Sequence, residues 1–83
     1  MKSINIRIEA FGAIEKQLPQ ELDFYCEPNA TVAEILELIV KAYPQSEHML
    51  ERCACAMGED IISRHHHLTQ NSTVVLLSPV AGG

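Results

Sequence analysis

Positive charge is scarce in this sequence. Six Lys plus Arg stand against eleven Asp plus Glu, a formal net charge of −5. That sign opposes attraction to a phosphate backbone and excludes nucleic acid as a partner. The acidic residues are dispersed, with Glu21 and Asp23, Glu34 and Glu37, and Glu59 and Asp60 in separate places, so they describe a solvated surface and not an acidic tail. No apolar run is long enough to span a bilayer and no stretch reads as a signal peptide, so no membrane role is expected. Three cysteines, an odd number, suit reduced thiols in a cytoplasmic chain better than a disulfide framework. Aromatic residues make up 5% of a chain that is 47% hydrophobic. For 83 residues this predicts one small domain with a modest core and some apolar surface left over for a partner. There is no repeat, no low-complexity segment and no linker.

Catalytic vocabulary is missing too. No Ser-His-Asp ordering, Gly-rich phosphate loop or carboxylate pair can be picked out. The run His65-His66-His67 offers at most two side chains on one face of an extended segment, and His48 or a cysteine would have to complete a metal shell at no recognised spacing. A solvent-exposed loop is the better reading, and no metal site is expected. Cys53 and Cys55 share one face of a predicted strand, but without a second pair they are a weak zinc signal. With no cation obviously placed to favour their thiolates, they read as small buried hydrophobes.

What the sequence does offer lies at its end. The apolar run Val74-Val75-Leu76-Leu77 leads directly into Ser78-Pro79-Val80-Ala81-Gly82-Gly83. A segment closing on two glycines has no side chain to contribute, so chemistry there falls to the backbone and the α-carboxylate. That carboxylate, ionised at neutral pH, is a poor electrophile until something activates it. Two residues lacking Cβ make the thinnest peptide available for a narrow channel, while Pro79 holds the root of the tail extended. Six extended residues reach roughly 20 Å at about 3.4 Å each. Because the chain carries no machinery to activate its own carboxylate, it has to borrow it.

The remaining chain predicts a compact body over residues 1–77, with 78–83 as an extended, flexible tail. Ile4 to Ala10 alternates apolar and polar residues, as a half-buried strand does. Phe11, Ile14 and Leu18 suggest a short helical turn, and Leu22, Phe24 and Cys26 a second strand antiparallel to the first. Thr31-Val32-Ala33-Glu34 is a capping box, followed by an apolar stripe at Val32, Ile35, Leu36, Ile39, Val40 and Tyr43 that Pro44 terminates. A short helical turn from Ser46 to Arg52 carrying Met49 and Leu50, a strand over 53–57, a turn at Gly58, an edge strand at Ile61-Ile62 and a loop pinned by Leu68 precede the last strand, Thr73 to Leu77. One helix with one buried stripe across a mixed sheet of four to five strands, the last parallel to the first, is the α+β arrangement called the β-grasp, that of ubiquitin. If Val74 and Leu76 face the helix, Val75 and Leu77 either point outward or are covered by a loop.

The ending Leu76-Leu77-Ser78-Pro79-Val80-Ala81-Gly82-Gly83, with the helix start Ala30-Thr31-Val32-Ala33-Glu34, resembles the small subunit of molybdopterin synthase, the MoaD family of ubiquitin-like sulfur carriers. The likeness spans the whole chain. It departs at Asn71-Ser72, where Gly-Asp is common, at Ala56-Met57-Gly58-Glu59, and at Ser78, which stands where a proline is often found. The resemblance implies that Gly83 is adenylated by an E1-like enzyme using ATP and Mg²⁺, with no cofactor bound by the chain itself. A sulfur donor protein then converts the adenylate to a thiocarboxylate. Pro79, Val80, Ala81 and Gly82 steer the tail into the large catalytic subunit, where sulfur passes to cyclic pyranopterin monophosphate. It further implies Val75 and Leu77 as a partner interface and a heterotetramer of two small subunits on a large-subunit dimer. A carrier for thiamine or another pathway, a ubiquitin-like modifier forming isopeptide bonds, and a stand-alone metal-binding module are the alternatives.

Overall fold

A computed structural model of the chain describes residues 3–79. Its frame is a five-stranded mixed sheet built from β1 (Ile4–Phe11), β2 (Leu22–Cys26), β4 (Ala54–Met57), β5 (Asp60–Ile62) and β7 (Ser72–Leu77), in the order β2-β1-β7-β4-β5. The first and last strands lie side by side and parallel, from Ile6 opposite Ser72 to Phe11 opposite Leu77. The other pairings are antiparallel. A right-handed crossover through a helix is the ordinary way to join parallel neighbours, and α1 (Val32–Ala42) occupies that position between β2 and β7 in the chain. This is the ubiquitin-like β-grasp.

The isoleucines of β1 show how the sequence builds it. Ile4, Ile6 and Ile8 are buried, whereas Arg7 and Glu9 are exposed, so period-2 alternation puts one face against the helix and the other toward solvent. Val74 and Leu76 from β7 and Cys55 from β4 complete the inner face, and Val32, Ile35, Leu36 and Ile39 of α1 cover it. The helix starts at a full capping box. Thr31 Oγ1 accepts from the Glu34 amide at 3.3 Å, and Glu34 Oε1 accepts from the Thr31 amide at 2.9 Å. It ends at Ala42, one residue short of the position before Pro44.

Of the connections beyond α1, one carries the helical turn the sequence predicts around Met49 and Leu50, and the other goes beyond that prediction. After α1 the chain runs through a 3₁₀ turn (Pro44–Ser46) into a single α-helical turn, α2 (Glu47–Leu50). The loop expected around Leu68 instead contributes β6 (His67–Leu68), which pairs with β3 (Ala30–Thr31) in a separate two-stranded sheet. The same loop caps α1 from outside, since the amides of Val32 and Ala33 donate to the carbonyls of His66 at 3.0 Å and Arg64 at 2.9 Å. The first-turn amides that a helix cannot satisfy internally are thus taken by the fold.

Candidate functional site

The site is built around the point where β7 ends. The ladder closes at Phe11 opposite Leu77, and Leu77 also stands opposite Ala54 of β4. These three side chains project from the face of the sheet away from α1. One rung back on the same face, Val75 stands between Glu9 and Ala56, and Ala56 is opposite Ile61. Phe11 is 49%, Leu77 37% and Ile61 68% exposed, and Val75 is half-buried. An apolar patch therefore covers the outer face of the sheet next to the root of the tail. Further along β1 the face turns polar with Arg7 opposite Asp23.

Phe11 and Ile61 were not among the residues singled out from sequence for this surface. Its spacing groups Phe11 with Ile14 and Leu18, which are buried, but it occupies the last position of β1 and follows the outward phase of Asn5, Arg7 and Glu9. Continuing the alternation of that strand by one residue would have found it. Ile61 is matched to the patch only by pairing across the β4–β5 hairpin.

Ser78, assigned to the tail from sequence, is hydrogen-bonded to the domain. Its amide donates to Phe11 O at 3.1 Å, its Oγ donates to the same carbonyl at 3.1 Å, and the Ile14 amide donates to Oγ at 2.9 Å. Pro79 follows, exposed. Val80, Ala81, Gly82 and Gly83 lie outside the described residues.

The side chains weighed for other chemistry are placed as follows. Cys53 and Cys55 are both buried, and a cation does lie close by, which the sequence did not reveal. Arg64 Nη2 donates to Leu50 O at 2.7 Å and Cys53 O at 3.1 Å. Burial pushes both thiols up, Cys55 adds to the effect on Cys53, and Arg64 pulls both down by less. Burial wins because the guanidinium is engaged by carbonyls and its field does not restore what the thiolates lose in solvation. Cys53 Sγ also donates to Met49 O at 3.3 Å, a bond available only to the neutral thiol. Burial and this bond both favour the neutral thiol, as in a cysteine packed into a core. His65 and His66 are exposed, and His67 Nδ1 lies 2.8 Å from Asn29 O, joining the β3–β6 pair. Among the described residues no group of three or more His, Cys, Asp or Glu could hold a metal ion, and no helix is long and apolar enough to cross a membrane. A cleft of about 370 Å³ between α1 and α2, lined by Leu36, Val40, Leu50, Glu37 and Glu47, lies on the helix side of the sheet, opposite the apolar patch.

Comparison with known proteins agrees with this geometry. The model of the ThiS family matches residues 11–83. No curated protein matches the sequence significantly. Among solved structures, the chain resembles small archaeal modifier protein 1 of Haloferax volcanii at a TM-score of 0.82 and 16% identity, over 95% of this chain and 99% of that one. It resembles a ubiquitin of Caldiarchaeum subterraneum at 0.67 and 15%, over 99% and 100%. A third likeness is to a complex of subunits 1 and 2 of the molybdopterin-converting factor from Helicobacter pylori, at 0.61 and 25% identity, over 96% and 100%.

Proposed function

The chain belongs to the ThiS family of ubiquitin-like sulfur carriers, and from that premise we propose that it is the MoaD-type sulfur-carrier subunit of molybdopterin synthase. The observation that carries the reading is the coincidence of a family match running through Gly83 with an exposed apolar patch at the root of the segment that holds it. The 25% identity to a chain of the Helicobacter pylori complex favours a molybdopterin-type partner among the pathways this family serves.

In this reading the outer face, with Val75, Leu77, Phe11 and Ile61, docks on the activating enzyme and then on the large subunit, while Pro79, Val80, Ala81 and Gly82 pass through a channel to the reactive centre. An oxygen of the Gly83 carboxylate attacks the α-phosphorus of ATP, pyrophosphate leaves, and the resulting acyl-adenylate has the leaving group that the bare anion lacked. Hydrosulfide supplied by the sulfur donor protein attacks the carbonyl carbon, AMP leaves with the electrons of the broken carbon–oxygen bond, and loss of the S–H proton leaves Gly83 as a thiocarboxylate. The large subunit then directs that sulfur onto cyclic pyranopterin monophosphate, in a complex of two small subunits on a large-subunit dimer. The described residues of the carrier contribute binding surface and geometry to this sequence and no acid, base or nucleophile.

The test is the intact mass of the chain after incubation with its E1-like enzyme, ATP, Mg²⁺ and a sulfide source. We expect the increase that accompanies exchange of one oxygen for sulfur, lost when Gly83 is deleted. Adding the large subunit and cyclic pyranopterin monophosphate should then yield molybdopterin. A thiocarboxylate that gives no such product assigns the carrier to another sulfur pathway, and attachment of the chain to lysines of other proteins assigns it to protein modification.

A further inference from the structure

The turn that leaves β1 closes around Ser78. The Ser78 hydroxyl bridges Phe11 O and the Ile14 amide, and the Ser78 amide shares the Phe11 carbonyl. Between those partners lies Gly12, whose own carbonyl accepts from the Glu15 amide at 3.1 Å to begin the 3₁₀ turn Ala13–Lys16. Gly12 has φ 89° and ψ −153°, a region that side chains with a Cβ essentially do not enter. A Cβ at this position would also stand 2.5 Å from Ser78 Oγ and 2.7 Å from Ser78 O. Two independent facts, backbone conformation and close approach, therefore require glycine where the turn meets the base of the tail.

We propose that Gly12 and Ser78 form a clasp that fixes the point and direction in which the Gly-Gly tail leaves the domain, making Ser78 a positioning residue for activation of Gly83. The proposal rests on the carrier reading above. Without the clasp the free span would begin at Ser78, at the end of the ladder. With it the span begins at Pro79 and comprises five residues, about 17 Å at about 3.4 Å each. The first of them has a fixed φ, so two consecutive constraints act at the root. A carboxylate on a shorter, aimed tether samples fewer positions while the sheet face is docked, and its effective concentration at the activating enzyme's reaction centre rises accordingly. The hydroxyl is the part of Ser78 that can be removed without touching the docking face.

The experiment combines pyrophosphate exchange by the E1-like enzyme, with ATP, Mg²⁺ and the full-length chain, and amide hydrogen exchange of the chain alone. For Ser78→Ala, exchange at the Ile14 amide should accelerate about tenfold relative to the core amide of Val74. The kcat for pyrophosphate exchange should fall about five- to tenfold, with KM changed by less than about twofold because docking is intact. A second variant with one Gly inserted between Ser78 and Pro79 keeps the clasp but loosens the root. It should reproduce the fall in kcat while leaving Ile14 protected. An unchanged kcat in folded Ser78→Ala overturns the positioning role, and so does a loss confined to KM. Rapid exchange of Ile14 in the natural chain overturns the clasp itself. Absence of pyrophosphate exchange with the natural chain overturns the carrier reading instead, and is told apart by Ile14 remaining protected.

Discussion

Cys53 and Cys55 illustrate how a single neighbour is weighed against its surroundings. Arg64 lies beside them and favours their thiolates, yet both thiols are held above the ordinary range because burial dominates. The consequence for stability has a definite sign. As pH rises past the unfolded thiol value of about 8.5, the unfolded chain releases these protons first while the folded chain retains them. The unfolded state is then favoured, and the stability present below that pH is progressively lost as pH climbs toward the raised folded values. The double variant Cys53→Ala, Cys55→Ala should therefore show a shallower fall in Tm as pH rises above about 8.5 than the natural chain, measured by calorimetry at matched ionic strength. Parallel slopes would show that the burial does not penalise these thiolates.

At the level of elements, α1 depends on its first turn. Thr31 supplies the acceptor for the Glu34 amide, and Thr31→Ala should cost about 1 kcal/mol, or roughly 4–8 °C in Tm for a domain of this size. The loop carbonyls of His66 and Arg64 continue to hold Val32 and Ala33, so the helix itself should persist by circular dichroism. This element was legible in the sequence because all its signals are local: the capping box, the stripe from Val32 to Ile39, and Pro44. The strands of the main sheet were legible where alternation or a continuous aliphatic run marked them, as in β1 and β7. The β3–β6 pair was not, since two residues carry no period and its bond from the Asn29 amide to Leu68 O at 2.7 Å joins distant parts of the chain. The Gly12–Ser78 contact was hidden for the same reason, with 64 positions separating the Ser78 hydroxyl from the Ile14 amide it satisfies. Arg64 has no sequence signal tying it to the thiols, because only the fold brings it to Leu50 and Cys53.

For the molecule as a whole, the sheet divides two environments: a core under α1 and an apolar outer face beside the tail. If that outer face docks the large subunit, Ile61→Asp should weaken binding by tenfold or more, about 1.4 kcal/mol or greater at a desolvated contact. Tm should stay within about 2 °C, because Ile61 is 68% exposed and adds little to the core. Titration calorimetry with the isolated large subunit and a thermal scan of the variant check both halves. The position of β7 adds a mechanical property. It runs parallel to β1 from Ser72 to Leu77 and is flanked on its other side by β4, with the tail continuing from its end. A pull on Leu77 along the axis of β7 is shared at once by the rungs to both neighbours. The domain meets such a pull in shear, not one rung at a time, so β7 resists being peeled from the sheet by a load applied at its C-terminal end.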